Sequence, residues 1–96
     1  MKESVFQRKV RDFFVKDRNA RLARFSTPSW PDYICFPESR AVRPFFLEIK
    51  AEGYILRPDQ EALRDYFEDR GEIYLVVTSG TKNWKDSLDQ FLFEYD

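Results

Sequence analysis

The sequence predicts a mixed α/β domain in the order α-β-β-β-α-β-α, with a mixed sheet flanked by helices. Three observations predict it. Apolar residues recur at helical spacing near both ends of the chain. Short β-branched and aromatic runs are separated by proline-rich breaks. A near-continuous apolar run, EIYLVVTS, follows a helical segment closed by Gly71. The chain of 96 residues has room for one small domain, 1–96, and its 43% hydrophobic content with ten Phe supplies a dense core.

Each element follows from its pattern. Glu3, Phe6, Val10 and Phe13 lie three and four apart, and Phe14 extends the stripe, so 3–17 reads as a helix. Glu3 is in line with the apolar residues and sits at the end of the buried face; it also suits a first turn, where the helix dipole favours an acid. ARLARFS (20–26) alternates as a strand, and STPSWP then breaks regular structure. DYICF is a second strand, PESRAVRP a loop bracketed by prolines, and FFLEIK (45–50) the returning strand of a hairpin. A helix over 59–70 opens near Pro58 and turns Leu63, Tyr66 and Phe67 to one side. EIYLVVTS has the composition of a central strand covered on both faces. Trp84, Leu88, Phe91 and Leu92 make 81–93 an amphipathic C-terminal helix.

Composition removes whole classes of function. No apolar stretch approaches the roughly 18–20 residues of a membrane span, so no membrane partner is expected. The N-terminus lacks the uninterrupted apolar segment of a signal peptide. Cys35 is the only cysteine, which forbids an internal disulfide and fits a reduced, cytoplasmic setting. With no His and one Cys, zinc sites and His-based triads are excluded. Carboxylates, Lys, hydroxyls or an oxygen-ligated metal remain. The net charge of −1 hides an asymmetry: residues 1–24 carry eight Lys/Arg against three acids, and residues 44–96 carry six against twelve. A basic arm of this kind reads as a nucleic-acid-binding face or as a solvated helix face.

The hairpin carries the chemistry. A turn centred on Arg40 would set Asp32 opposite Glu48, with side chains about 5 Å apart. Two carboxylates that close repel unless a divalent cation lies between them. Mg2+ takes oxygen ligands and needs only one or two carboxylates beside water and phosphate. Lys50 shares a face with Glu48 on a strand. A metal and a cation side by side form a toolkit for attack on a phosphodiester.

Pro31-Asp32 followed by Glu48-Ile49-Lys50 resembles the motif of the PD-(D/E)xK nuclease superfamily. Each fragment alone is common; their order and hairpin spacing carry the signal. Pro58-Asp59 is a second P-D with no E-x-K after it. The longer stretch 29–80 looks like the VRR-NUC family: P-D, an apolar strand ending in E-x-K, a short loop, a helix opened by Gln60, then Gly71 and an apolar strand. Glu3 matches the family's N-terminal acid. Ser29, followed by Trp30, stands where the family has Gly. The resemblance spans nearly the whole chain and corresponds to the family's standalone form, known from bacteriophages and bacteria.

The resemblance implies a restriction-endonuclease-like core and a divalent-metal-dependent DNA endonuclease acting in replication, repair or recombination. It implies that Asp32, Glu48 and the backbone carbonyl of Ile49 hold Mg2+ or Mn2+, that Lys50 orients the attacking water, and that Gln60 positions Lys50 or the phosphate. Glu3 would be an outer ligand or hold a metal-bound water. Branched DNA, such as a Holliday junction, is the implied partner, and a homodimer suits two symmetric cuts. Arg21, Arg24, Arg57 and Lys82 are candidates for phosphate contacts. Trp30 and Tyr54 flank the site, either against bases or packed beneath their loops. The alternative is a catalytically inactive module on the same fold that binds nucleic acid or a replication protein.

Overall fold

A computed structural model describes residues 2–94 of the chain. Helix α1 (Glu3–Asp12) continues into one π-helical turn (Phe13–Asp17). Strands β1 (Arg21–Arg24), β2 (Tyr33–Phe36) and β3 (Phe45–Lys50) follow, then α2 (Pro58–Asp69), β4 (Tyr74–Thr78) and α3 (Trp84–Glu94). The predicted order of elements is therefore observed, with bounds shifted by a few residues.

The expected stripe on the first helix is its buried face: Phe6, Val10, Phe13 and Phe14 are all sealed from solvent. The wider turn closes with the Arg18 N–H donating to the Phe13 carbonyl at 3.0 Å, five residues back. Asn19 then adopts φ 52° and turns the chain into β1. Arg18 meets both carboxylate oxygens of Asp89 on α3, at 2.5 and 2.6 Å, which ties the two helices together.

The sheet has the order β1-β2-β3-β4. β1, β2 and β3 form an antiparallel meander, and β4 returns parallel to β3 after the α2 crossover. Phe45, Leu47 and Ile49 of β3 join the α1 residues and Leu88 of α3 in the main core. On the opposite face Phe46 packs with Leu56, Leu63, Phe67 and Tyr74 beneath α2. Its ring lies stacked on Phe67 with centroids 4.2 Å apart. β3 is thus apolar on both faces up to its last turn, where Glu48 and Lys50 replace the apolar residues of the α2 face.

One expectation is corrected. EIYLVVTS was expected to be a central strand, but β4 is an edge strand and β3 takes the inner place. The reason is physical. Continuous apolarity reports helices on both faces of a strand, not strands on both sides. Tyr74 and Val77 are buried on opposite faces, while Val76, beyond the cover of α2, is 36% exposed.

Candidate active site

β2 and β3 pair Tyr33 with Leu47, Ile34 with Phe46 and Cys35 with Phe45. This is the register of a turn centred on Arg40, and its continuation sets Asp32 opposite Glu48. Two positions beyond Tyr33–Leu47, the same register sets Ile49 opposite Pro31. In a regular antiparallel ladder these two residues would exchange both backbone bonds. Proline has no N–H to give, so the ladder ends here. The Ile49 N–H turns instead to Asp32 and donates to its Oδ2 at 2.8 Å. The Ile49 carbonyl, on the same side of the strand, is left without its ladder donor. Pro31 and Asp32 together convert the end of a hairpin into a cluster of oxygen acceptors.

Glu48 is buried, with 3% of the residue exposed. Its Oε1 lies 3.5 Å from Lys50 Nζ, and its Oε2 is buried without a hydrogen-bond partner among the described residues. Burial, then the nearby Asp32 charge, pushes the Glu48 carboxyl up to about 7, against the opposing pull of Lys50. Burial also raises Asp32, opposed by the bond from Ile49 and reinforced by the charge of Glu3. Two carboxyls whose ionisation burial disfavours, one with an orphaned oxygen, fit a divalent cation.

Glu3 lies on the first turn of α1, exposed, and borders the same groove of about 480 Å³ as Asp32, Glu48, Lys50 and Gln60. It acts on the two carboxyls through its charge. Among the described residues, no group of three or more acidic, Cys or His side chains is spaced to ligate one ion. Glu3 as a direct third ligand is therefore not seen among the described residues.

Gln60 is buried at the third position of α2, and its Oε1 accepts the Arg57 N–H at 3.0 Å. That bond satisfies one of the free donors at the helix start. The amide of Gln60 carries two further N–H donors, and the residue lines the groove. Arg24, Trp30 and Arg57 also border the groove, and Tyr54 borders an adjoining one. Arg21 and Lys82 border neither groove. Arg21 pairs with Phe36 at the opposite end of β1 from Arg24, and Lys82 lies in the turn before α3. Of the four candidates for phosphate contacts, the groove brings together Arg24 and Arg57, and Arg21 and Lys82 lie outside it.

A further contact escapes the sequence. Ser29 takes φ 72°, the left-handed conformation that a Gly adopts freely. Its Oγ donates to Asp59 Oδ2 at 2.5 Å, and Asp59 in turn accepts from Arg57 at 3.2 Å. These two donors hold the Asp59 carboxyl down at about 2. The loop leading to Asp32 is thereby fastened to the start of α2. Pro58-Asp59, the P-D without an E-x-K, supplies this fastening; the only signal in the sequence was an unexplained acid in a helix first turn.

Among the described residues, no helix is long and apolar enough to cross a membrane. No protein-family model matches the chain, and no curated protein matches it either.

Proposed function

We propose that the chain is a divalent-metal-dependent endonuclease that hydrolyses DNA phosphodiester bonds, selective for branched DNA such as a four-way junction. The observation that carries this reading is the end of β3. Asp32 and Glu48 converge there with Lys50, the Ile49 backbone is taken off the ladder by Pro31, and Glu48 Oε2 is buried without a partner. The resemblance to VRR-NUC nucleases points the same way.

Asp32, Glu48 and the Ile49 carbonyl would hold Mg2+ or Mn2+. The ion, when bound, supplies Lewis-acid stabilisation of phosphoryl charge and makes water a stronger acid. The chain's own residues do the rest. The Ile49 N–H fixes the Asp32 carboxylate in one orientation. Lys50 pairs with Glu48, and its ammonium carries three N–H donors in all. Those donors hold a water or a non-bridging phosphoryl oxygen and offset the negative charge that builds up there. Arg24 and Arg57 border the groove where the phosphate backbone would run. A two-fold homodimer would present two such sites for paired cuts.

The test is a gel panel of labelled four-way junction, flap, nicked, single-stranded and duplex DNA with Mg2+ or Mn2+. Cleavage of the junction in preference to plain duplex is the expected result; no cleavage of any substrate contradicts the reading. A second reading, an inactive nucleic-acid-binding module, is favoured by the absence of a third carboxylate at ligand spacing among the described residues. It predicts binding to the same substrates with no cut.

A further inference from the structure

We infer that the cleft receives an unpaired DNA strand, with nucleobases on either side of Lys50 stacking on Trp30 and Tyr54. The inference rests on the nuclease reading of the same cleft and adds the form of the strand that enters it: at a branched substrate, the strand left unpaired at the branch point. Two concavities meet at Lys50. One, of about 480 Å³, extends to Trp30 and Arg24, and the other, of about 680 Å³, extends to Tyr54 and Lys2. Glu3, Lys50 and Arg57 border both. A polymer that threads from one concavity into the other passes Lys50 midway, with Lys2, Arg24 and Arg57 along its course.

An aromatic side chain stands in each half. Trp30 is 38% exposed, and the indole is backed by Phe25 at 5.1 Å, Phe67 at 5.3 Å and Phe46 at 6.4 Å between ring centroids. It therefore keeps one orientation while presenting open surface. Tyr54 is 70% exposed. It ends a tight turn in which its N–H donates to the Ala51 carbonyl at 3.1 Å and Gly53 takes φ 85°. The turn holds up a ring that the core has no use for.

Two features favour an unpaired strand over a duplex. Bases within a duplex have both faces covered by their neighbours, so only an unstacked base can lie on a protein ring. The reacting groups are also recessed: the side chains of Lys50 and Glu48 are 12% and 4% exposed. A phosphodiester must enter the cleft to reach them, which a flexible single strand does more readily than a stiff duplex.

The test is binding without cutting. A labelled oligo-dT strand and a blunt duplex are titrated in EDTA and followed by anisotropy. Tyr54→Ser and Trp30→Leu should each weaken oligo-dT binding by about 5-fold or more and leave duplex binding unchanged, while Tyr54→Phe keeps full affinity. Trp30 emission, read in a Trp84→Phe background, should be quenched by oligo-dT. Should Trp30→Leu fail to fold, Tyr54→Ser decides, since its side chain is not part of either core. Oligo-dT affinity unchanged in Tyr54→Ser without quenching of Trp30, or equal losses on both DNAs, overturns the inference. Cleavage in Mg2+ is scored separately. Intact cleavage with no stacking effect overturns this inference alone; selective loss of oligo-dT binding in the variants, with a wild-type protein that cuts nothing, overturns the nuclease reading alone.

Discussion

Glu48 and Lys50 lie 3.5 Å apart, oxygen to nitrogen, with their side chains 4% and 12% exposed. The second oxygen of Glu48 is buried and has no partner. One lysine is not enough for the two carboxyls beside it, and this imbalance is the central feature of the molecule.

The imbalance makes stability depend on pH in an unusual direction. The folded state raises the Glu48 carboxyl to about 7 from an ordinary 4.5. Between those values the folded state holds a proton that the unfolded state has released. Stability therefore falls as pH rises through that window. In EDTA, Tm should be higher at pH 5 than at pH 8, and Glu48→Gln should flatten the dependence. A wild-type Tm that climbs over this window contradicts the burial of a charged Glu48.

Divalent cations should reverse that loss. A ligand that binds only the folded state at 100 times its Kd stabilises by about 2.7 kcal/mol. Mn2+ at neutral pH should raise the wild-type Tm by several degrees, and neither Asp32→Asn nor Glu48→Gln should respond. An equal shift in both variants would place the metal elsewhere.

The Ser29 loop gives a prediction independent of catalysis. A side chain at positive φ costs about 1–2 kcal/mol, and the bond to Asp59 offsets part of that. Ser29→Gly removes both the strain and the bond, and should change stability by less than about 1 kcal/mol. Ser29→Val keeps the strain, adds a β-branch and loses the bond; it should destabilise by about 2 kcal/mol or more. Urea denaturation of both variants checks this, and a Val variant as stable as wild type would refute the strained turn.

Tyr74 carries the other orphan. Its hydroxyl is buried without a partner, and burial with the nearby Glu48 and Asp32 charges raises its pKa. A buried donor without an acceptor costs about 1–3 kcal/mol. Tyr74→Phe should therefore stabilise the protein by about 1 kcal/mol. A loss of stability would mean that the hydroxyl is satisfied in solution.

The hairpin was legible in the sequence because its evidence is local. Two prolines bracket the loop, and the distance from Asp32 to Glu48 is that of two strands folded about Arg40. The helices were legible from their stripes. What the sequence concealed depends on pairs far apart in the chain. Ser29 and Asp59 are separated by 30 positions, and nothing near either residue announces the other. The resemblance gave Gln60 the task of positioning Lys50 or the phosphate. As a cap it was hard to recognise, because Arg57 replaces the Ser or Thr that usually begins a capping box. The edge position of β4 was hidden because an apolar run records cover above and below a strand but not beside it. Arg21 and Lys82 were candidates by charge alone, and their place outside the groove depends on the strand register and the turn before α3.

In the proposed nuclease, Lys50 is the residue on which cleavage most depends. Wild-type and Lys50→Ala proteins, matched for folding by circular dichroism, should be compared on a labelled four-way junction in Mg2+ or Mn2+. Loss of a single preorganised donor to developing charge costs at least about 100-fold in rate, so the variant should bind the junction and leave it uncut. Cleavage by Lys50→Ala at the wild-type rate would contradict the account.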